Sequence, residues 1–85
     1  MKIFYISVLA YNNMTSNLEF YFDSEANAVK FIENTINDIK KTFNNIVVNK
    51  FVQEKSFHVY NSCEINHKYR IHELKKYEVI KWKHT

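Results

Sequence analysis

The sequence predicts an α+β fold in which one amphipathic helix packs on a mainly antiparallel sheet, in the order β-β-α-β-β-β(-β). Two observations carry this. Apolar residues alternate with a period of two in several short stretches, and between residues 25 and 43 the period changes to three and four. The 85-residue length adds a third constraint. A chain this short buries only about 60% of its unfolded surface, enough for one core, so residues 1–85 form a single domain. Hydrophobic residues make up 46% and aromatics 16%, which supplies the large side chains such a core needs.

Residues 2–11 read as a strand, with Phe4, Ile6, Val8 and Ala10 on one face and Ile3, Tyr5, Ser7, Leu9 and Tyr11 on the other. Residues 12–17 are polar turn formers. Residues 18–23 alternate again, placing Leu18, Phe20 and Phe22 inward and Glu19, Tyr21 and Asp23 outward, which closes an N-terminal hairpin. Asp23 and Ser24 offer a helix N-cap, and Glu25 supplies an anion in the first turn, where the helix dipole favours one. Ala26, Val29, Ile32, Ile36, Ile39 and Phe43 then recur on one stripe, opposite Lys30, Asn34, Asn37 and Lys41, which predicts a helix over about 25–43. After Asn44-Asn45 the strands resume at Ile46–Gln53, Ser56–Cys63 and 65–73. In the last, Ile65, His67, Tyr69 and Ile71 oppose Lys68, Arg70 and His72. Residues 77–83 read as a final strand, with a helix over about 68–82 as the alternative.

The chain contains no Gly and no Pro. Glycine lets a backbone approach a phosphate closely and adopt positive φ without steric cost, so the phosphate loop, the dinucleotide fingerprint, the nucleophile elbow and the EF-hand loop are all excluded. Turns must then rest on Asn and Asp, which best tolerate the left-handed region. Asn12-Asn13, Asn44-Asn45, Asn61 and Asn66 fall where the apolar pattern breaks, so the asparagines read as turn chemistry. Cys63 is the one cysteine, which rules out an internal disulfide and the usual multi-thiolate zinc sites. It reads as a small buried hydrophobe. Cys63, His67 and His72 have a metal-like spacing, but on a strand His72 faces away from the other two, so no metal is expected. No cofactor and no catalytic residue is expected either.

The N-terminal apolar run is interrupted by Tyr5 and Ser7 and lacks a small-residue cleavage site, so it reads as a strand and not as a secretion signal. A cytoplasmic location in a host cell is expected, with no membrane partner. Lys, Asn, Ile, Phe and Tyr account for 44 of the 85 residues. Their codons are A/T-rich, which points to an A/T-rich bacterial, phage or plasmid genome.

Charge is uneven along the chain. Residues 1–63 carry six Lys and six acids, whereas residues 64–85 carry six basic groups against Glu64, Glu73 and Glu78, so the whole net charge of +3 lies in the last quarter. There Lys68, Arg70, Lys75, Lys76, Lys81 and Lys83 interleave with Tyr69, Tyr77, Trp82, His67, His72 and His84. Such a pattern suits phosphate contacts and base stacking, but a net charge of +3 is mild for a dedicated nucleic-acid binder and favours a solvated, aggregation-resistant sheet face or a protein contact. Phe31 lies well off the centre of the helix stripe, and Tyr5, Tyr11 and Tyr21 oppose the inward phenylalanines. Exposed aromatics of this kind form interfaces, unless Phe31 covers a sheet edge and the tyrosines pack under another strand or a dimer mate. The expected partner-binding set is therefore Tyr5, Tyr21, Phe31, Lys68, Arg70, His72, Lys81 and Lys83.

Two resemblances add to this. The run Tyr69-Arg70-Ile71 … Glu78-Val79-Ile80-Lys81-Trp82-Lys83-His84 resembles the closing hairpin of small ribonuclease and gyrase-directed toxins. That implies Arg70 and His84 near a scissile phosphate, although those toxins place two helices near the N-terminus. The opening Met-Lys-Ile strand, the hairpin, and Phe22-Asp23-Ser24-Glu25 leading into Ala28-Val29-Lys30-Phe31-Ile32-Glu33 are similar to small accessory proteins of phages and mobile elements, including anti-CRISPR and other anti-defence inhibitors. This second resemblance implies stoichiometric inhibition of a larger host complex by steric occlusion. A nucleic-acid-binding module using the basic C-terminal face and a small toxin-like ribonuclease are the alternatives.

Overall fold

Alternation makes Phe4–Leu9 the first strand, β1, in a computed structural model that describes residues 2–10, 15–18 and 20–74. Phe4 and Ile6 are buried, and Val8 is half-buried beside them. The second strand differs from expectation. β2 is Thr15–Asn17, within the stretch the sequence assigned to a turn, and it pairs antiparallel with β1 through Ser7 and Asn17, Val8 and Ser16, and Leu9 and Thr15. The Leu18 N–H still donates to the Ile6 carbonyl at 2.9 Å, and Phe4 and Phe22 exchange two hydrogen bonds at 2.8 and 2.9 Å. Ser7 pairs with Asn17 but Phe4 with Phe22, so three steps on β1 match five on the partner. The chain bulges between these pairs, breaking the inward alternation expected over 18–23. Phe20, expected in the core, is 56% exposed.

Helix α1, Glu25–Thr42, starts where its cap chemistry places it. The Asn27 N–H donates to Ser24 Oγ at 3.1 Å, and Asn27 Nδ2 donates to Asp23 Oδ1 at 2.8 Å. Glu25 in the first turn and Lys40 and Lys41 in the last complement the helix dipole. Ala28, Ile32 and Ile36 are its buried line, with Val29, Phe31, Ile39 and Phe43 packed at the sides. Ala26, counted on the apolar stripe from spacing, is exposed, because two residues before Ala28 the helix surface has turned to the solvent side.

After the helix, Asn45 takes a left-handed φ of 58° and the chain enters β3, Val47–Phe51, then β4, Ser56–Tyr60, and β5, Asn66–Glu73. β4 stops at Tyr60, short of the predicted Cys63, because Asn61 ends it. Asn61 Oδ1 accepts from the N–H groups of Cys63, Glu64 and Ile65 at 3.1, 2.8 and 3.0 Å. Cys63 therefore lies in this loop and is exposed, not buried as the sequence suggested. The alternative helix from residue 68 is overturned at its start, since Asn66–Glu73 is a strand.

Among the described residues the sheet has five strands in the order β2-β1-β5-β4-β3, every pairing antiparallel. α1 covers one side of it. The core between them holds Phe4, Ile6, Ala28, Ile32, Ile36, Phe57, Val59, Ile65, Tyr69 and Ile71. Tyr11, Asn12-Asn13, Glu19, the predicted strand over 77–83 and the residues Lys81, Lys83 and His84 lie outside the described residues.

A cationic and aromatic sheet face as candidate binding surface

Period-two alternation sends every second residue to the side away from α1, and the register assembles them. Tyr5 lies opposite His72, Ser7 opposite Arg70, and Leu9 opposite Lys68. On the other flank of β5, Ser56 faces Arg70, His58 faces Lys68, and Tyr60 faces Asn66. β3 adds Val47, Asn49 and Phe51, opposite Tyr60, His58 and Ser56. β5 thus runs between β1 and β4 carrying Asn66, Lys68, Arg70 and His72 on this distal face. No Asp or Glu stands among its described strand residues.

Arg70 is at the middle of this row. It is exposed, and its guanidinium has neither an ion pair nor a hydrogen bond among the described residues. Lys68 is more constrained. Its ammonium lies 3.6 Å from Glu54, a carboxylate from the β3–β4 loop, and 5.5 Å above the Phe51 ring. That exposed pair is worth at most about 1 kcal/mol and is readily exchanged for another anion. At one end of the face Tyr5 stacks on His72 at 4.8 Å and 14°, and His72 Nε2 is hydrogen-bonded to Ser7 Oγ at 2.7 Å. At the other, His58 packs against Tyr60 at 4.7 Å and is hydrogen-bonded to Asn66 Oδ1 at 2.7 Å.

Four of the residues expected at a binding surface, Tyr5, Lys68, Arg70 and His72, therefore come together on one face. Tyr21 is exposed beside the bulge. Phe31 is half-buried between Phe20 and Phe22, with ring centroids 5.5 and 5.4 Å away, so it covers the bulge at the sheet edge. His58, Tyr60 and Phe51 were not singled out from the sequence. Their signal was the shared parity of Ser56, His58 and Tyr60, which places them beside the basic row only once β4 is known to pair with β5.

Two titrations are shifted away from this face. The Lys55 ammonium is raised above 10.5, chiefly by its hydrogen bond to Glu25 at 2.7 Å and by that carboxylate's charge. The Tyr69 phenol is raised above 10.0 by burial. Cys63, His67 and His72 stand apart, in a loop, on the helix side and on the distal face. Among the described residues no group of three His, Cys, Asp or Glu could hold a metal ion. A cavity of about 140 Å³ between the start of α1 and the β3–β4 hairpin, lined by Glu25, Val29, Lys55, Ser56, Phe57 and Ile71, is smaller than the ~300 Å³ of an ordinary small-molecule site. Among the described residues, no helix is long and apolar enough to cross a membrane. No protein-family model matches the chain, and no curated protein and no solved structure matches it either.

Proposed function

We propose that this is a small phage- or mobile-element-encoded binding protein that inhibits a host defence complex, such as a CRISPR effector, by covering part of it with the distal face of its sheet. The observation that carries the reading is the exposed guanidinium of Arg70, with no ion pair or hydrogen bond among the described residues, at the centre of a face with no carboxylate among its described strand residues. An uncompensated cation amid aromatics is the composition of a contact surface awaiting an anionic partner. The organisation of residues 1–43 supports the assignment to anti-defence proteins, and the binding role needs no catalytic group.

The test is co-expression of the chain with each of a panel of bacterial defence systems, scoring phage plaquing. Plaquing is expected to recover in one system and to be lost again with Arg70→Glu, a substitution at an exposed position that leaves the core intact. Recovery that persists in Arg70→Glu would remove this face from the mechanism, and failure in every system would sink inhibition.

A further inference from the structure

We infer that the distal face takes a single strand of nucleic acid, laid along β5, as its anionic partner. The inference rests on the reading of this face as the contact surface and specifies what occupies it.

The geometry of β5 is the first argument. Alternate residues on a strand lie ~7 Å apart, so Lys68 and Arg70 project two cations at a step comparable to successive phosphates of an extended single strand. Arg70 presents a planar fork of donors with nothing to bind among the described residues, and such a fork matches a phosphate bidentately. Lys68 exchanges a solvent-exposed carboxylate, Glu54, for a phosphate with little net cost.

Aromatics beside the row supply the second argument. Tyr60 and Phe51 stand on the β4 and β3 side of Lys68, with Phe51 40% exposed. Bases splayed from a strand on β5 reach these rings, and stacking of this kind is tolerant of sequence. Asn49 and Asn66 are exposed on the same face; Asn49 offers its amide to base edges, and Asn66, with Oδ1 engaged by His58, offers its Nδ2. A duplex fits less well. Reading one requires an element inserted into a groove, whereas this surface is the face of a sheet.

The test uses the full chain and fluorescein-labelled twelve-nucleotide oligothymidylate and oligouridylate, with a duplex of equal length as a third probe, followed by anisotropy from 25 to 300 mM salt. Single strands are expected to bind with an affinity that falls linearly in log–log form, with a slope of about −1.4 for two phosphates neutralised. Arg70→Ala is expected to weaken binding roughly tenfold and to bring the slope to about −0.7, with an unchanged circular dichroism spectrum. Tyr60→Leu should weaken binding at every salt concentration with the slope unchanged. No single-strand binding at 25 mM salt, an Arg70→Ala slope equal to the parent's, or equal affinity for the duplex would each overturn the inference. If oligonucleotides fail to bind while Arg70→Glu still abolishes rescue of plaquing, the face contacts protein. The proposed inhibition then stands without a nucleic-acid partner. Cleavage of the oligouridylate, against an expected intact strand, would instead overturn the binding-only role.

Discussion

Asparagine does in this chain what glycine does in most. Asn45 accepts a left-handed backbone after the helix, and Asn61 gathers three N–H groups onto a single oxygen while its Nδ2 donates to the Asn44 carbonyl at 3.2 Å. Asn61→Ala leaves those donors to solvent and should cost about 2 kcal/mol in chemical denaturation, with Asn61→Asp retaining most of the stability because it keeps the acceptor. A loss below half a kcal/mol in Asn61→Ala would show the loop holding itself. Asn45→Ala should cost about 1 kcal/mol and Asn45→Gly almost nothing. Ser56 reverses the direction. Its hydroxyl is buried, with the residue 1% exposed, and has no hydrogen-bond partner among the described residues, so Ser56→Ala should leave stability unchanged or raise it by about 1 kcal/mol. Asn45 and Asn61 were legible because residue type and pattern break coincide, whereas Asn66, read with them as turn chemistry, is the first residue of β5. Lys55, with φ 56°, was not, since nothing about lysine announces a left-handed turn.

At the level of elements, α1 was legible almost to the residue, because its cap, its first-turn acid and its periodicity agree. Ile32, fully buried on its central line, should cost about 3–4 kcal/mol as Ala, measured by urea unfolding. The N-terminal hairpin was legible only in part. Its bulge arises from how Phe22 rejoins Phe4 while Phe20 lies outside the core against the Phe31 ring, and that competition between placements leaves no trace in an alternating pattern. The candidate binding face was half legible: parity within β5 gave Lys68, Arg70 and His72, but pairing between strands distant in sequence brought His58 and Tyr60 to them. The Lys55–Glu25 pair ties the β3–β4 hairpin to the start of α1, and Tyr69 anchors β5 in the core. Both groups hold their protons more tightly folded than unfolded. Their contribution is complete below the ordinary values of 10.5 and 10.0 and is lost as pH rises through the folded ones. The unfolding temperature should therefore drop as pH rises above about 10, less steeply in Tyr69→Phe, and parallel profiles for the two proteins would contradict this.

Considered as a whole, the molecule divides labour between two sides of one sheet. The helix side carries the apolar core and the distal side carries Lys68 and Arg70, so substitutions at these two should alter binding while leaving unfolding within about 0.5 kcal/mol of the parent. The strand order has a further consequence. β5, the last of the described strands to be synthesised, lies between β1 and β4 and joins two hairpins that have no other sheet contact with each other. A nascent chain that has left the ribosome only as far as residue 65 thus lacks the strand that joins the hairpins, and an isolated two-stranded hairpin is at best marginally stable in water. Emergence of Asn66–Glu73 closes the sheet in one step, so folding waits on translation and stalls wherever synthesis stops short of that strand.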